Sequence, residues 1–156
     1  MTYYIAIDIG GTRTRAAIYE NVGNAPIKLS RISTQSQISP KLNWLSDLIS
    51  GIWPSVGDVS AIGMAVAGPL NPHTGVLFSS PNIPGWNNLY LREYIEKQFN
   101  VPVMIGNDAN LAALGEWKYG SGQGHRSVLY LTVSTGIGGG VIIDNQLLLG
   151  NHGLDA

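Results

Sequence analysis

Ile5-Ala6-Ile7-Asp8-Ile9-Gly10-Gly11-Thr12-Arg13-Thr14 is the stretch whose reading decides the fold. An apolar run enters an acid, then a Gly pair and a Thr, and a second strand-like run begins at once. Gly10 and Gly11 can take positive φ and let the backbone approach a ligand. Successive N–H groups in such a turn can point inward as an anion nest. Asp8 stands at the strand end, where a carboxylate could hold a hydrated Mg²⁺ beside phosphates. Gly-Gly is equally a signal for an ordinary tight hairpin. On this stretch alone the two readings stand level.

Working outward, Tyr3 to Ile9 and Arg15 to Tyr19 read as strands around the turn, and Ile27 to Ile32 as a third. Ser39-Pro40 reads as a helix start, with Ser as N-cap and Pro at the first helical position. Leu42, Leu45, Leu48, Ile49 and Ile52 follow at helical spacing, with Trp44 and Trp53 packed around them. Ala61 to Val66 is a short apolar run suited to a buried strand and stopped by Ala67-Gly68-Pro69. Leu70 to Gly85 reads as loop, with a small strand at Val76 to Phe78. Asn88 is expected to cap a helix carrying Leu91, Tyr94, Ile95 and Phe99. Val101 to Ile105 is another strand, and Gly106-Asn107-Asp108-Ala109-Asn110 leads into a helix through Leu111, Leu114 and Trp117 that ends near Gly120. Ser121 to His125 is a glycine-rich connector. Beyond it come a strand at Val128 to Val133, a glycine-dense turn at Ser134 to Gly140, and a strand at Val141 to Ile143. The opening plan of strand, polar residue, Gly-rich turn and strand thus repeats.

Antiparallel strands followed by alternating helices and strands indicate an α/β layer with a mixed sheet. The strand ends carrying Asp8, Gly68 and Asp108 are expected to converge on one edge, where such sheets place their ligands. The bulk numbers agree with a folded, heavily buried chain. Apolar residues make up 44% and charged residues 12% of 156 residues, enough for one core and too few for two full-sized domains. A formal charge of −1 gives no electrostatic reason to expect nucleic acid or an anionic membrane. With no cysteine there are no disulfides or thiolate metal sites, which suits a soluble, cytoplasmic protein.

Two glycine turns and two further motifs resemble one family. Asp8-Ile9-Gly10-Gly11-Thr12 resembles the first phosphate motif of the sugar-kinase, actin and Hsp70 superfold, and Ser134-Thr135-Gly136-Ile137-Gly138-Gly139-Gly140-Val141 its second. Pro81-Asn82-Ile83-Pro84-Gly85-Trp86 and Gly106-Asn107-Asp108-Ala109-Asn110 are more particular, and together the motifs resemble the ROK family of bacterial sugar kinases and sugar-responsive repressors. The resemblance implies a ribonuclease H-like, actin-like ATPase fold: an amino-terminal domain over residues 1–124, then the first strands of a truncated second domain over 125–156. It implies ATP-dependent phosphorylation of a hexose, glucose foremost, with ATP and Mg²⁺ as cofactors and a homodimer in the longer protein. Asp108 is the implied catalytic base. Gly68, Asn82, Asn107 and Asp108 are the implied sugar contacts. Asp8, Gly10, Gly11, Thr12, Thr135, Gly136 and Gly138 are the implied nucleotide contacts, with Asp8 anchoring the metal. Transfer from ATP to an alcohol needs such phosphate cradles, a metal anchor, a positioned hydroxyl and a base.

Each residue also has a plainer reading. Asp108 could be a helix N-cap, Asn82 a turn residue beside Pro81, and Gly138 and Gly139 the needs of a turn alone. His73 and His125 read as exposed loop residues, and Glu116 as a surface helix residue. His152 resembles the lead-in to the family's sugar-binding segment. That segment and the family's cysteine-rich zinc site lie beyond Ala156. The expectation is therefore half of a nucleotide cleft, with the sheet edge at Val128 to Leu149 exposed and negligible kinase activity from this chain alone. The competing functions are a ROK-type sugar-responsive repressor, for which no basic helix precedes the first motif, and a non-catalytic sugar-binding module.

Overall fold

Period-two alternation builds the central sheet. In the strand Thr2–Ile9 (β1), Ile5, Ile7 and Ile9 are buried while Tyr4, Ala6 and Asp8 face the other way. The computed structural model describes residues 1–21, 23, 25–35, 42–80, 83–133 and 137–150. β1 pairs antiparallel with Arg13–Tyr19 (β2), which pairs antiparallel with Lys28–Ser33 (β3). On its other side β1 runs parallel to Asp58–Val66 (β4), and β4 runs parallel to Val103–Asn107 (β8). The five-stranded order is β3-β2-β1-β4-β8, the mixed sheet expected from the sequence.

Helices Asn43–Ser50 (α1) and Leu91–Phe99 (α2) cover one face of this sheet. Leu45, Leu48 and Ile49 of α1 and Leu91 and Ile95 of α2 share one core with Ile5, Ile7, Ile62, Met64, Val66 and Ile105. Trp44 stacks on Trp86 at 5.9 Å and Trp53 on Phe99 at 5.0 Å, so the tryptophans pack around α1 as read. The N-cap position of α1 is Leu42, and the helix starts at Asn43; Ser39 and Pro40, read as its start, lie outside the described residues. Helix Asp108–Tyr119 (α3) lies on the opposite face. Gly106 alternates with core-facing Ile105, and a Cβ at Gly106 would stand only 2.9 Å from Leu111 of α3.

The small strand read at Val76 to Phe78 is present as Val76–Ser79 (β6), but two expectations fail around it. Leu70–Asn71 (β5), read as loop, and Asn87–Tyr90 (β7), read as the start of a helix, flank it in a three-stranded sheet of order β5-β6-β7. Asn88 is not a helix cap: it sits inside β7 with φ 51°, and the N-cap of α2 is Tyr90, with no side-chain hydrogen bond. Asn tolerates this left-handed conformation better than most residues, which makes it look like a cap from sequence.

The last sheet is Val128–Val133 (β9), Ile137–Ile143 (β10) and Gln146–Leu147 (β11), in the order β11-β10-β9. Gly138, Gly139 and Gly140 belong to β10 and not to the glycine-dense turn read from sequence. β10 packs on α3, where a Cβ at Gly140 would lie 2.7 Å from the Ala113 Cβ. Among the described residues the other face of this sheet is bare at β9, where Leu129, Leu131 and Val133 are 63–78% exposed.

Candidate functional site

The parallel register brings three strand ends into line. Ile9 pairs with Val66, and Val66 with Asn107, so Asp8, the Ala67-Gly68 turn and Asp108 meet at one carboxyl edge. This is the edge where open α/β sheets bind ligands. Cross-ties hold it. Ala67 N–H donates to the Ile9 carbonyl at 3.1 Å, the Ser80 hydroxyl to the Ala67 carbonyl at 3.0 Å, and the Asn107 side-chain amide to the Gly68 carbonyl at 3.4 Å. Gly68 has φ 128°, a left-handed conformation, and a Cβ there would stand 2.4 Å from the Ser79 carbonyl oxygen. Glycine is required at this turn.

Asn107 is the N-cap of α3. Its side-chain oxygen accepts from Ala109 N–H at 2.9 Å and Asn110 N–H at 3.2 Å, satisfying two orphan donors of the first turn. The plainer reading of Asp108 as the cap is therefore off by one residue. Asp108 is the first residue of the helix, exposed, with Oδ1 accepting from Ala109 N–H at 2.9 Å. Its carboxylate lies at the positive end of the helix dipole, with a second oxygen left for another partner.

Asp8 faces the same side. Its half-buried carboxyl is raised above the usual aspartate range by partial burial, against the lowering effect of Arg15, with the negative Asp108 pushing it further up. Arg15 lies directly opposite Asp8 in the β1–β2 register, 3.9 Å away. Sequence reading missed this arginine, although the antiparallel alternation of Asp8 and Arg15 about the turn carried the signal. Among the described residues no group of three or more His, Cys, Asp or Glu could hold a metal ion. A divalent ion here would rest on Asp8, water and a ligand's phosphates, the sparse protein ligation typical of Mg²⁺.

The opening turn is a hairpin as well as a candidate nest: Gly10 N–H donates to the Arg13 carbonyl at 3.1 Å. Gly10 does not use the positive φ anticipated for it. A Cβ there would stand 3.2 Å from the Arg13 carbonyl oxygen, so close backbone approach is what glycine provides. Thr12 is exposed beside it, and Gly11 forms the bend between them. Gly138 faces Ala109 with a virtual Cβ 3.3 Å from its methyl, which brings the second glycine motif onto the first turn of α3 beside Asp108. Asn82, Thr135, Gly136 and His152 lie outside the described residues; Ile83 and Trp86 of the Asn82 motif are buried in the core. His73 and His125 are exposed as expected. Glu116, read as a surface residue, has a structural task. Its carboxylate accepts from Ser121 N–H and hydroxyl at 3.0 and 3.1 Å, closing the turn after α3.

A sequence model described as the ROK family matches residues 4–156. The chain belongs to the ROK family. Glucokinase from Streptomyces coelicolor is 36% identical over 153 residues, covering 97% of this chain and 47% of that protein. The crystal structure of a ROK family glucokinase from Streptomyces griseus in complex with glucose and AMPPNP superposes with a TM-score of 0.84 at 32% identity, covering 99% of this chain and 48% of that one. A xylose repressor from Bacillus spizizenii is 41% identical, but over 92 residues, 59% of this ROK chain and 23% of the repressor. The ROK chain spans about half the length of the curated glucokinases it matches. Its mixed sheet is that of the actin-like ATPase fold shared with these kinases.

Proposed function

We propose that this chain carries the sugar-gripping wall and first phosphate turn of an ATP-dependent hexose kinase, with glucose as the favoured hexose. The convergence of Asp8, the Gly68–Asn107 tie and Asp108 on one carboxyl edge carries the reading. The Streptomyces coelicolor glucokinase matches 97% of this chain at 36% identity and the xylose repressor 59%, which supports a kinase over a sugar-responsive regulator.

In this reading the sugar hydroxyl oxygen attacks the terminal phosphorus of ATP, the bond to the ADP oxygen breaks, and Asp108 accepts the hydroxyl proton. Asp108 suits the task because it is exposed and the Ala109 N–H holds one of its carboxylate oxygens. Asn107, Asn82 and the Gly68 backbone orient the hydroxyls, amides serving because they donate and accept at fixed geometry. Gly10, Gly11 and Thr12, with Thr135, Gly136 and Gly138 from the second motif, cradle phosphates. Asp8 would hold Mg²⁺, which when bound neutralises phosphate charge. Residues 1–124 form the sugar-kinase domain, and 125–156 open the second one. A cytoplasmic location is inferred from the absence of cysteine in the sequence, and a homodimeric longer protein from the family resemblance.

The test is a coupled phosphorylation assay over a sugar panel, on this chain and on a longer protein that contains it. The longer protein should phosphorylate glucose, and Asp108→Asn should lower turnover by about 10²–10⁴-fold, the usual contribution of a general base. The chain alone, with one wall of the cleft, should turn over negligibly. Undiminished activity in Asp108→Asn refutes the choice of base.

A further inference from the structure

Leu129, Leu131 and Val133 of β9 stand directly opposite Val141, Gly139 and Ile137 of β10, so all six share one face of the last sheet. Neither strand holds Asp, Glu, Lys or Arg. α3 covers the opposite face, with Gly138 and Gly140 against Ala109 and Ala113. On the uncovered face Ile137 is 82% exposed, as open as its β9 neighbours, and Ile143 is half-exposed. A polar rim begins at Gln146, which pairs with Ile143.

The open Leu, Val and Ile side chains offer about 100 Å² each, and Ile143 half that. Together they present roughly 450 Å² of apolar surface, within the range of about 300–600 Å² that marks the largest and often functional patch of a monomer. Two such faces laid together remove roughly 1,000 Å² of surface from water, the size from which specific interfaces begin. Homodimer contacts are the more apolar class of interface, and a face without charge has nothing that repels its own copy. The formal charge of −1 on the whole chain adds no long-range repulsion. Shape agrees with charge. Gly139 leaves a hollow beside Leu131 and between Ile137 and Val141, and a facing Leu or Val side chain fits it as side chains interdigitate between the sheets of a β-sandwich. The central sheet has an apolar hollow of about 410 Å³ lined by Tyr4, Ala6, Ala61, Gly63 and Met104. It lacks this self-complementarity, because two concave surfaces do not fill each other.

We propose that two copies of this chain associate face to face through β9 and β10, with Leu129, Leu131 and Val133 of each copy packed on β10 of the other. The contact is isologous, one patch meeting itself about a two-fold axis. Edge-to-edge pairing along β9 would leave the same apolar side chains in water, so the face and not the strand edge drives association. The proposal stands apart from the hexose-kinase reading, and its failure leaves that reading untouched.

Sedimentation equilibrium on the chain from about 1 to 500 µM should show monomer and dimer with a Kd of about 10–100 µM, in keeping with an interface at the low end of specific sizes. Leu131→Glu buries an unpaired charge at the contact and should weaken association about 100-fold or more. Val133→Lys should act alike, and Leu131→Ala should weaken it about tenfold. Both side chains are exposed in the single chain, so melts of dilute protein should give midpoints matching wild type and exclude a folding defect. Met104→Glu, at an exposed apolar position on the central sheet, should leave the dimer intact. A chain that stays monomeric throughout this range overturns the proposal, whether the face is then open, covered by the chain's own residues or taken by another protein. Association that survives Leu131→Glu and Val133→Lys, or that is lost in Met104→Glu, overturns it as well, since the contact then lies on the strand edge or the central sheet.

Discussion

Gly140→Ala tests how the second sheet is held. A Cβ at this position would stand 2.7 Å from the Ala113 Cβ, 3.0 Å from the Ala109 carbonyl oxygen and 3.0 Å from the Asn110 Cα. Carbon atoms at rest lie about 3.5–4.0 Å apart, so the methyl overlaps helix atoms that no rotamer change can move. Overpacking of this kind costs about 1–3 kcal/mol, and three close contacts with α3 place it near the upper end. Restricting the unfolded chain gives back about 0.4–1 kcal/mol. The net loss is about 1–2.5 kcal/mol, or roughly 3–9 °C in midpoint for a chain of this size. Thermal and urea melts measure it, and hydrogen exchange at the β10 amides separates local detachment of the sheet from global unfolding. Gly139→Ala is the control: its nearest neighbours are the Tyr130 carbonyl oxygen at 3.1 Å and the flexible tip of Leu131 at 3.3 Å on the bare face, and it should cost less than half as much. If Gly140→Ala neither lowers the midpoint nor speeds β10 exchange, β10 does not lie on α3 as described.

Gly68→Ala should cost about 3 kcal/mol or more, because a left-handed φ of 128° and a 2.4 Å approach to the Ser79 carbonyl oxygen coincide. Urea denaturation within about 0.5 kcal/mol of wild type would show that the turn is not built this way. Glu116→Gln should separate from wild type with a defined pH sign. Hydrogen bonds from Ser121 N–H and hydroxyl hold the Glu116 carboxyl below its ordinary value, so its stabilising contribution is present above the unfolded-state carboxylate range and is lost as pH falls through the lower folded-state value. Melts across an acid series should show the two proteins converging. A gap that widens on acidification contradicts the Ser121 contact.

The central sheet was legible because its strands carry strong signals. Ile5, Ile7 and Ile9 alternate with Tyr4, Ala6 and Asp8, and the β4 run from Ala61 to Val66 is nearly all apolar even though its burial alternates and only one face, with Ile62, Met64 and Val66, lies in the core. Of the β5-β6-β7 sheet only the middle strand was legible. The flanking strands are two and four residues long and contain Asn71, Asn87 and Asn88, so each contributes too few apolar positions to show a period. The Asp8–Asp108 edge was legible from motif order, but the role of Asn107 as cap was not. Asn and Asp in sequence compete for one cap position, and only backbone geometry assigns it, here φ −61° and ψ 143° at Asn107.

The two glycine motifs look alike in letters and work by different physics. At Gly10 the missing side chain lets the turn close on the Arg13 carbonyl. At Gly138 and Gly140 it lets a strand press against Ala109 and Ala113, small residues on one face of α3. The same helix carries Asp108 at its first position, and its cap is tied to Gly68 through the Asn107 amide. α3 therefore links three features of the edge: the Gly68 turn, the Asp108 carboxylate and the strand β10 that carries the glycines of the second motif. A small residue at each contact leaves no side chain to act as a compliant cushion, and close-packed interiors transmit strain. A shift of β10 would thus reach the α3 N-terminus, the position proposed for the base. Along β9 the opposite face stays apolar and bare, so the sheet is fixed on its α3 side alone. Gly138 and Gly140 bear that attachment, which explains why glycine stands at these two alternate positions within a strand, where it is otherwise unfavourable.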